Sequence, residues 1–143
     1  MTMQRRDFLR AAGAAAGAAV LPGCATMGGG SAGKVVVVGG GYAGATCAKY
    51  LRMWSNGAVD VTLIEPREAF VSCPISNLVI GGSKTIADVT VPYDNLSRRW
   101  GVNVVRDTAT GIDVDKRVVT TAGGRSLPYD RLVLAPGIEF MWD

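Results

Sequence analysis

Histidine is absent from this sequence, and cysteines and aromatic residues are few. Without an imidazole, the chain cannot build a Ser-His-Asp hydrolase, a His-ligated zinc site or a histidine proton shuttle. Its three cysteines do not provide the even set that the disulfide framework of a small secreted domain needs. Basic patches with interleaved aromatic residues are also missing, and we interpret Arg98 and Arg99 as a solvated helix face. The sequence therefore gives no support for nucleic-acid binding.

The composition is that of a globular protein. Apolar residues make up 48% and charged residues 19% of the 143 residues, which is not the composition of a disordered chain. At about 100–200 residues per domain, the length allows one domain at most. The formal net charge of +3 is small, and the three arginines Arg5, Arg6 and Arg10 near the start account for most of it.

Residues 1–33 differ from the rest of the chain. A charged start that contains Arg5-Arg6 precedes a short run of mostly Ala and Gly at 11–21. This order resembles a twin-arginine signal peptide, which implies export of a folded protein to the periplasm. The run is shorter than the ~20 residues of a bilayer span, so we expect no transmembrane segment. Two alternatives remain open, namely an amphipathic helix of the mature protein and a membrane anchor at 11–21.

The residues after this run suggest two ways of processing. Residues 21–24 resemble a lipobox, in which Cys24 would carry a lipid anchor, and residues 23–25 resemble an ordinary signal cleavage site. The Gly-rich stretch 27–33 is interpreted as a flexible spacer.

A βαβ unit follows the spacer. Residues 34–38 form a continuous β-branched run, which is typical of a strand buried on both faces of a parallel sheet. The glycine-rich turn 39–44, a predicted helix at 45–54 and a second predicted strand at 59–64 come next. The order of these elements predicts a dinucleotide-binding unit.

Each glycine of that motif, and the glutamate after the second strand, has a physical reason to be present. Gly39 permits the tight turn out of the strand, Gly41 lets the backbone approach a pyrophosphate, and Gly44 lets the helix pack on the strand. The helix N-terminus offers unpaired N–H groups to the phosphates. Glu65, at the end of the second strand, is suited to the ribose hydroxyls of an adenosine and disfavours the 2′-phosphate of NADP. Cys47, inside the helix, is predicted to be a small buried packing residue.

The segment after Glu65 is expected to return over the carboxyl edge of the sheet, where the ligand lies. Cys73 is therefore a candidate for chemistry with the ligand, with an inert buried thiol as the alternative. For Asn77, a polar contact near the ligand and a helix-capping role remain open.

The remaining sequence completes the predicted fold. We expect a short helix at 94–100, a third parallel strand at 102–105, a β-meander from 110 to 125 and a fourth buried strand at 132–135. The fold class is α/β, a Rossmann-like parallel sheet with a small antiparallel β-meander, incomplete at the C-terminus.

Together, residues 34–51, 61–65, 73–82 and 129–137 resemble the two-dinucleotide-binding-domain flavoproteins. The resemblance is to the flavin subunits of flavocytochrome c sulfide dehydrogenases and, more distantly, to sulfide:quinone oxidoreductases. It implies an FAD cofactor, with Gly39, Gly41 and Gly44 at its pyrophosphate and Glu65 at its adenosine ribose. It further implies that Pro66 and Arg67 border the adenine, that the backbone of Ala109 holds the adenine, and that Pro136 and Gly137 lie near the phosphate–ribose region. The cysteine that matches Cys73 carries the flavin through a thioether to the 8α-methyl group in the flavocytochrome subunits.

The resemblance also implies that such a flavoprotein has parts beyond the predicted FAD-binding unit. Such flavoproteins have about three domains, so we expect residues 34–143 to be the N-terminal part of an FAD/NAD(P)-binding domain, truncated, that unaided binds FAD poorly and catalyses nothing. No catalytic or metal-binding residue is assigned. Residues 1–143 contain no Cys-x-x-Cys-His motif, so a c-type haem would belong to a cytochrome partner. The alternatives are a flavin-dependent disulfide reductase or NADH oxidase, in which Cys73 is a redox thiol, and a non-catalytic nucleotide-binding fragment.

Overall fold

The computed structural model describes residues 31–138. The predicted signal peptide, Cys24 and the stretch 11–21 lie outside the described residues. No helix between residues 31 and 138 has the length and apolar character that crossing a membrane requires.

The secondary structure alternates between strands and helices in the first half and is mostly strand in the second half. In chain order the elements are β1 (Gly33–Val38), α1 (Tyr42–Trp54), β2 (Val59–Ile64), β3 (Ala69–Val71), α2 (Ser76–Ile80), a 3₁₀ turn (Ala87–Val89), β4 (Thr90–Pro92), α3 (Asp94–Trp100), β5 (Asn103–Val105), β6 (Ala109–Asp113), β7 (Val118–Thr121), β8 (Ser126–Pro128) and β9 (Arg131–Leu134).

A four-stranded parallel sheet with the strand order β5-β2-β1-β9 forms the centre of the described region. Strand β1 pairs with β2 on one side and with β9 on the other, and β2 pairs with β5. Because all four strands run in the same direction, their carboxyl ends meet at one edge of the sheet. The predicted Rossmann-like parallel sheet is confirmed.

The two faces of the sheet are covered by different layers. Val35 and Val37 of β1 point to the face on which α1 and α3 pack, together with Leu63 of β2. Val36 and Ile64 point to the other face, where Val119 of β7 is fully buried against them. Strand β7 is the middle strand of an antiparallel sheet with the order β6-β7-β8, which is the predicted meander. The period-2 alternation along β1 thus serves two separate core clusters.

Helix α1 begins three residues earlier than the sequence predicted, at Tyr42 and not at residue 45. Gly41 is its N-cap residue, and the first helical hydrogen bond runs from Ala45 N–H to Gly41 O at 2.9 Å. The glycine-rich turn therefore ends inside the first turn of the helix. At the other end, Asn56 and Gly57 take positive φ values of 49° and 79°, which close the helix.

The last strand of the sheet is less buried than predicted. The sequence predicts a buried strand at 132–135, but β9 comprises Arg131–Leu134, and Leu134 is 59% exposed. Among the described residues, β9 pairs only with β1, so it is an edge strand. The predicted third strand begins at Asn103 and the meander at Ala109.

The sequence did not predict the antiparallel hairpin of β3 and β4. These three-residue strands pair Phe70 with Val91, and the segment between them contains α2 and the 3₁₀ turn. The hairpin and α2 bring residues 69–92 to the carboxyl edge of the sheet.

Candidate functional site

A cavity of about 680 Å³ lies at the carboxyl ends of the parallel strands. A cleft at this edge is where open α/β sheets bind ligands. All the predicted cofactor-binding residues except Gly44 line it, and they come from the loops after β1, β2, β3 and β9 and from the first residue of β6. These lining residues are Gly39, Gly41, Glu65, Pro66, Arg67, Cys73, Ala109, Pro136 and Gly137.

Two glycines of the motif after β1, Gly39 in the turn and Gly44 in α1, are required by the fold itself. Gly39 has a φ of +95°, and a Cβ there would lie 2.1 Å from the carbonyl oxygen of Ala135. A Cβ on Gly44 would lie 1.8 Å from the carbonyl oxygen of Gly39, which is far inside van der Waals contact. Gly44 lies in the first turns of α1 and is buried against Gly39, which explains why it does not line the cavity. Its role in this structure is close helix–strand packing.

Gly41 differs from these two glycines. A Cβ on Gly41 would meet only Phe70 among nearby atoms, at an ordinary distance of 3.9 Å. Its backbone, with φ −66° and ψ −169°, is one that any residue adopts. Neither packing nor conformation in the protein therefore demands glycine here, whereas a ligand that approaches this backbone would.

The first turn of α1 provides donors next to Gly41. The first helical hydrogen bond starts at the N–H of Ala45, so the preceding N–H groups of this helix have no partner within it. Together with the positive end of the helix dipole, such groups favour a phosphate or another anion.

Glu65 is buried at the end of β2, with 9% of its surface exposed. Its Oε2 accepts a hydrogen bond of 2.7 Å from the N–H of Gly40, and its Oε1 accepts one of 3.0 Å from the N–H of Arg67. A carboxylate has about four lone-pair sites, so two remain for other donors. The carboxylate thus orders the glycine turn and can still accept hydrogen bonds from a ligand in the cavity.

Tyr93 is a site residue that the sequence analysis missed. Its side chain is 4% exposed, and its hydroxyl donates a hydrogen bond of 2.8 Å to the carbonyl oxygen of Gly40. Burial, and next the nearby negative charge of Glu65, raise the pKa of Tyr93 to about 12. The phenol is therefore a neutral donor at physiological pH. No local sequence signal points to it, because its partner is far away in the chain.

Cys73 lies on the loop between β3 and α2, where it is exposed and lines the cavity. The alternative of an inert buried thiol is therefore wrong for this residue. Cys47 was predicted to be buried, but it is half-buried in α1. The buried residues of this helix are Gly44 and Ala48, and Cys47 lies beside them at the border with solvent.

Asn77 fits neither of its two predicted roles. The N-cap residue of α2 is Ile75, and no side chain caps the helix. Asn77 is exposed within α2 and does not line the cavity. The helix begins before Asn77, so its side chain is already too far along the first turn to cap it.

Asp107 supports the side of the cavity formed by Thr108 and Ala109. Its carboxylate accepts hydrogen bonds from the N–H groups of Thr108 (2.8 Å) and Gly123 (3.1 Å). The nearby Thr121 hydroxyl, and after it the N–H groups of Thr108 and Gly123, lower the pKa of Asp107. The loop after β5 is thereby tied to the turn between β7 and β8.

A second cavity of about 620 Å³ lies between α1, the β3–β4 hairpin and α3. Tyr42, Phe70 and Tyr93 line both cavities and so form the wall between them. The rings of Tyr42 and Phe70 pack edge to face, with centroids 4.7 Å apart. None of the predicted cofactor-binding residues except Gly41 lines this second cavity.

Comparison with known families agrees with this architecture. Residues 33–140 match the model of the family described as pyridine nucleotide-disulphide oxidoreductase. The chain belongs to the pyridine nucleotide-disulphide oxidoreductase family. Residues 2–22 match the twin-arginine translocation signal sequence, as the charged start and apolar run predicted.

Several curated relatives share the family domain. Over 46 residues, the chain is 59% identical to the sulfide dehydrogenase [flavocytochrome c] flavoprotein chain of Chlorobaculum thiosulfatiphilum, covering 32% of this chain and 94% of that sequence. Over 108 residues it is 34% identical to the sulfide-quinone reductase of Aquifex aeolicus, covering 76% of this chain and 25% of the relative. The resemblance inferred from the sequence motifs is thus confirmed.

Solved structures of this family have the same fold. The sulfide:quinone oxidoreductase from Aquifex aeolicus superposes with a TM-score of 0.68 at 31% identity, over 78% of this chain and 26% of that one. The chain spans about a quarter of the length of the sulfide:quinone oxidoreductases that it matches.

Proposed function

We propose that residues 34–143 are the N-terminal part of the FAD-binding domain of an exported flavoprotein oxidoreductase. The observation that carries the proposal is the cavity of about 680 Å³ at the carboxyl edge of the sheet, which all the predicted cofactor residues except Gly44 line, from four loops and the start of β6. The spare lone pairs of Glu65 and the open space at Gly41 support it independently, because both suit a dinucleotide and neither is needed by the fold.

The proposed contacts follow from the chemistry of each group. The N–H groups at the start of α1, next to Gly41, would bind the pyrophosphate. The Glu65 carboxylate would accept hydrogen bonds from the adenosine ribose. Pro66 and Arg67 would border the adenine, the Ala109 backbone would hold it, and Pro136 and Gly137 would lie near the phosphate–ribose region. FAD, when bound, supplies the redox chemistry, and the protein supplies position and electrostatics.

We further propose that Cys73 anchors the flavin covalently. Its exposed thiol on the cavity wall supports this role, and so does the 59% identity to a flavocytochrome flavoprotein chain. The bond would join Sγ to the 8α carbon, and the two hydrogens removed would leave the flavin reduced until its acceptor reoxidises it. An anchored flavin would not be lost in the periplasm.

The proposed donor is sulfide, and the proposed acceptor is a c-type cytochrome subunit. Both rest on relatives whose names are sulfide dehydrogenase [flavocytochrome c] flavoprotein chain and sulfide-quinone reductase. The match of residues 2–22 to a twin-arginine signal supports the periplasm as the proposed location. In this proposal, residues 1–33 are the signal peptide and spacer. A lipid on Cys24 is a further proposal.

A second candidate function keeps the flavin but changes the role of Cys73. The chain is also 32% identical over 105 residues to the type II NADH:quinone oxidoreductase of Staphylococcus aureus, of which it covers 26%. In a disulfide reductase or NADH oxidase of this family, Cys73 would be a redox thiol. A non-catalytic nucleotide-binding fragment would have the fold but bind no flavin.

One experiment separates these functions. The polypeptide translated from the complete reading frame that contains residues 1–143 is purified from the periplasm, and its flavin absorbance is followed anaerobically. Bleaching by sulfide and subsequent reduction of an added c-type cytochrome would support the proposal. Bleaching by NADH and not by sulfide would favour the second candidate, and a folded protein with no flavin would favour the fragment.

A further inference from the structure

The peptide groups on either side of Gly40 are both held by buried side chains. The Gly40 N–H donates to Glu65 Oε2 at 2.7 Å, and the Gly40 carbonyl oxygen accepts from the Tyr93 hydroxyl at 2.8 Å. Gly40 itself is buried, and a Cβ there would lie 2.5 Å from the Tyr93 oxygen. The middle of the glycine turn is therefore fixed by tertiary contacts, not by the local turn alone.

These contacts belong to a closed ring that connects four loops at the carboxyl edge of the sheet. The next contact of the ring is the hydrogen bond from the N–H of Arg67 to Glu65 Oε1. The carbonyl oxygen of Arg67 in turn accepts a hydrogen bond from the guanidinium of Arg106. The guanidinium carbon of Arg106 also lies 5.4 Å from the centre of the Tyr93 ring, which closes the ring by a cation–π contact.

The Gly40 carbonyl and the Gly41 N–H belong to one peptide group. Because this group is planar and trans, its C=O and N–H point in opposite directions, so a partner that fixes the carbonyl also fixes the N–H. The Gly41 N–H is one of the donors at the start of α1 that have no partner within the helix. Tyr93 thus determines, through one hydrogen bond, where this donor points.

We propose that Tyr93 is a positioning residue that preorders the glycine turn for a diphosphate. The inference rests on the proposed FAD site and goes beyond it, because it assigns a role to a residue that touches the turn and not the phosphates. Without the hydroxyl, the ligand itself would have to order this peptide on binding, and that cost would appear as lost affinity.

The test compares Tyr93→Phe with Tyr129→Phe in the polypeptide translated from the complete reading frame that contains residues 1–143. Each protein carries Cys73→Ser, so that no covalently bound flavin occupies the site. The first substitution removes only the hydroxyl and leaves the ring, and Tyr129 lines neither cavity. FAD, ADP and adenosine are titrated into ¹⁵N-glycine-labelled protein by NMR. Loss of one hydrogen bond predicts about five- to tenfold weaker binding of FAD and ADP to Tyr93→Phe. Adenosine, which has no phosphate, should bind unchanged, and the Gly41 amide signal should shift before any ligand is added.

Tyr129→Phe should match the wild type in every reading. Equal affinities of wild type and Tyr93→Phe for ADP would overturn the positioning role while leaving the FAD site intact. An equal loss for ADP and adenosine would also overturn it, because that pattern indicates a general structural defect. Wild-type protein that binds neither FAD nor ADP would remove the proposed function and this inference with it.

A second variant protects the test in case Tyr93→Phe fails to fold. Arg106 is exposed, so Arg106→Gln should fold, yet it opens the ring at Arg67 and removes the cation over Tyr93. We expect about two- to threefold weaker ADP binding with adenosine unaffected, a smaller effect because the Tyr93 hydrogen bond remains. Arg98→Gln, on the exposed face of α3, is the control. Identical ADP affinities for Arg106→Gln and this control would contradict the proposal.

Discussion

The carboxylate of Glu65 accepts a 2.7 Å hydrogen bond from the backbone N–H of Gly40, and this bond joins the end of β2 to the glycine turn after β1. Two neighbouring strands of a parallel sheet are thereby tied together at their carboxyl ends, beside the cavity. The same carboxylate accepts the N–H of Arg67, so it has a structural role before any ligand is bound.

Glu65→Gln should weaken FAD binding about 10- to 100-fold, because hydrogen bonds to a charged partner contribute about 1.5–3 kcal/mol. The amide keeps one acceptor oxygen but turns the other into a donor that faces backbone N–H groups. Calorimetric titration with FAD, in proteins that carry Cys73→Ser and so hold no covalent flavin, measures the loss. Glu68→Gln, an exposed neighbour that does not line the cavity, is the control. Unchanged affinity in Glu65→Gln would show that this carboxylate does not contact the ribose.

Gly41→Ala and Gly44→Ala should separate binding from folding. A Cβ on Gly44 would lie 1.8 Å from the Gly39 oxygen, so this variant should lose about 2–3 kcal/mol of stability despite alanine's better helix propensity. A Cβ on Gly41 meets nothing closer than 3.9 Å, so that variant should lose only about 1 kcal/mol or less, because alanine is a poorer N-cap than glycine, but bind FAD at least about tenfold more weakly. Urea unfolding and FAD titration of both proteins, made in the Cys73→Ser background, give the comparison. The reverse pattern, with Gly41→Ala unstable and Gly44→Ala normal, would contradict the assigned roles.

Cys73→Ser should abolish covalent flavin. In exported wild-type protein we expect flavin fluorescence to remain with the denatured chain and a peptide containing Cys73 to carry the mass of FAD. Cys47→Ser is the matched control, because Cys47 lies in α1 and does not line the cavity. Flavin that stays with denatured Cys73→Ser protein would rule out this cysteine as the anchor.

Tyr93 should make stability fall at alkaline pH. Its pKa is raised to about 12 in the folded protein, above the ordinary tyrosine value of 10.0, so between these values the unfolded chain loses this proton while the folded chain keeps it. The unfolded state then binds fewer protons, and the free energy of unfolding decreases with rising pH. Unfolding midpoints of wild type and Tyr93→Phe between pH 9 and 12 should show a shallower decline in the variant. Parallel declines would mean that Tyr93 does not titrate in this window.

The sequence predicted the features that depend on neighbours in the chain. The run of valines in β1, the spacing of Gly39, Gly41 and Gly44 and the position of Glu65 are local patterns, and each has a direct physical reason. The parallel sheet and the antiparallel meander follow from such patterns, and both are confirmed.

What the sequence missed depends on contacts between distant residues. Strands β3 and β4 are three residues each, too short to show a period, and they form only by pairing with one another. Tyr93 is buried because Gly40 lies against it, and nothing near position 93 in the chain reveals that partner. The predicted start of α1, residue 45, is three residues too late, because the whole glycine motif was assigned to the turn whereas Gly44 lies in the helix.

A crystal structure, with FAD, of the polypeptide translated from the complete reading frame that contains residues 1–143 would test the central claim most directly. We expect the pyrophosphate within hydrogen-bond distance of the N–H groups at Gly41 and the first turn of α1, with the ribose hydroxyls on Glu65. FAD bound in the second cavity, between α1 and α3, would contradict it, and so would empty density at saturating FAD.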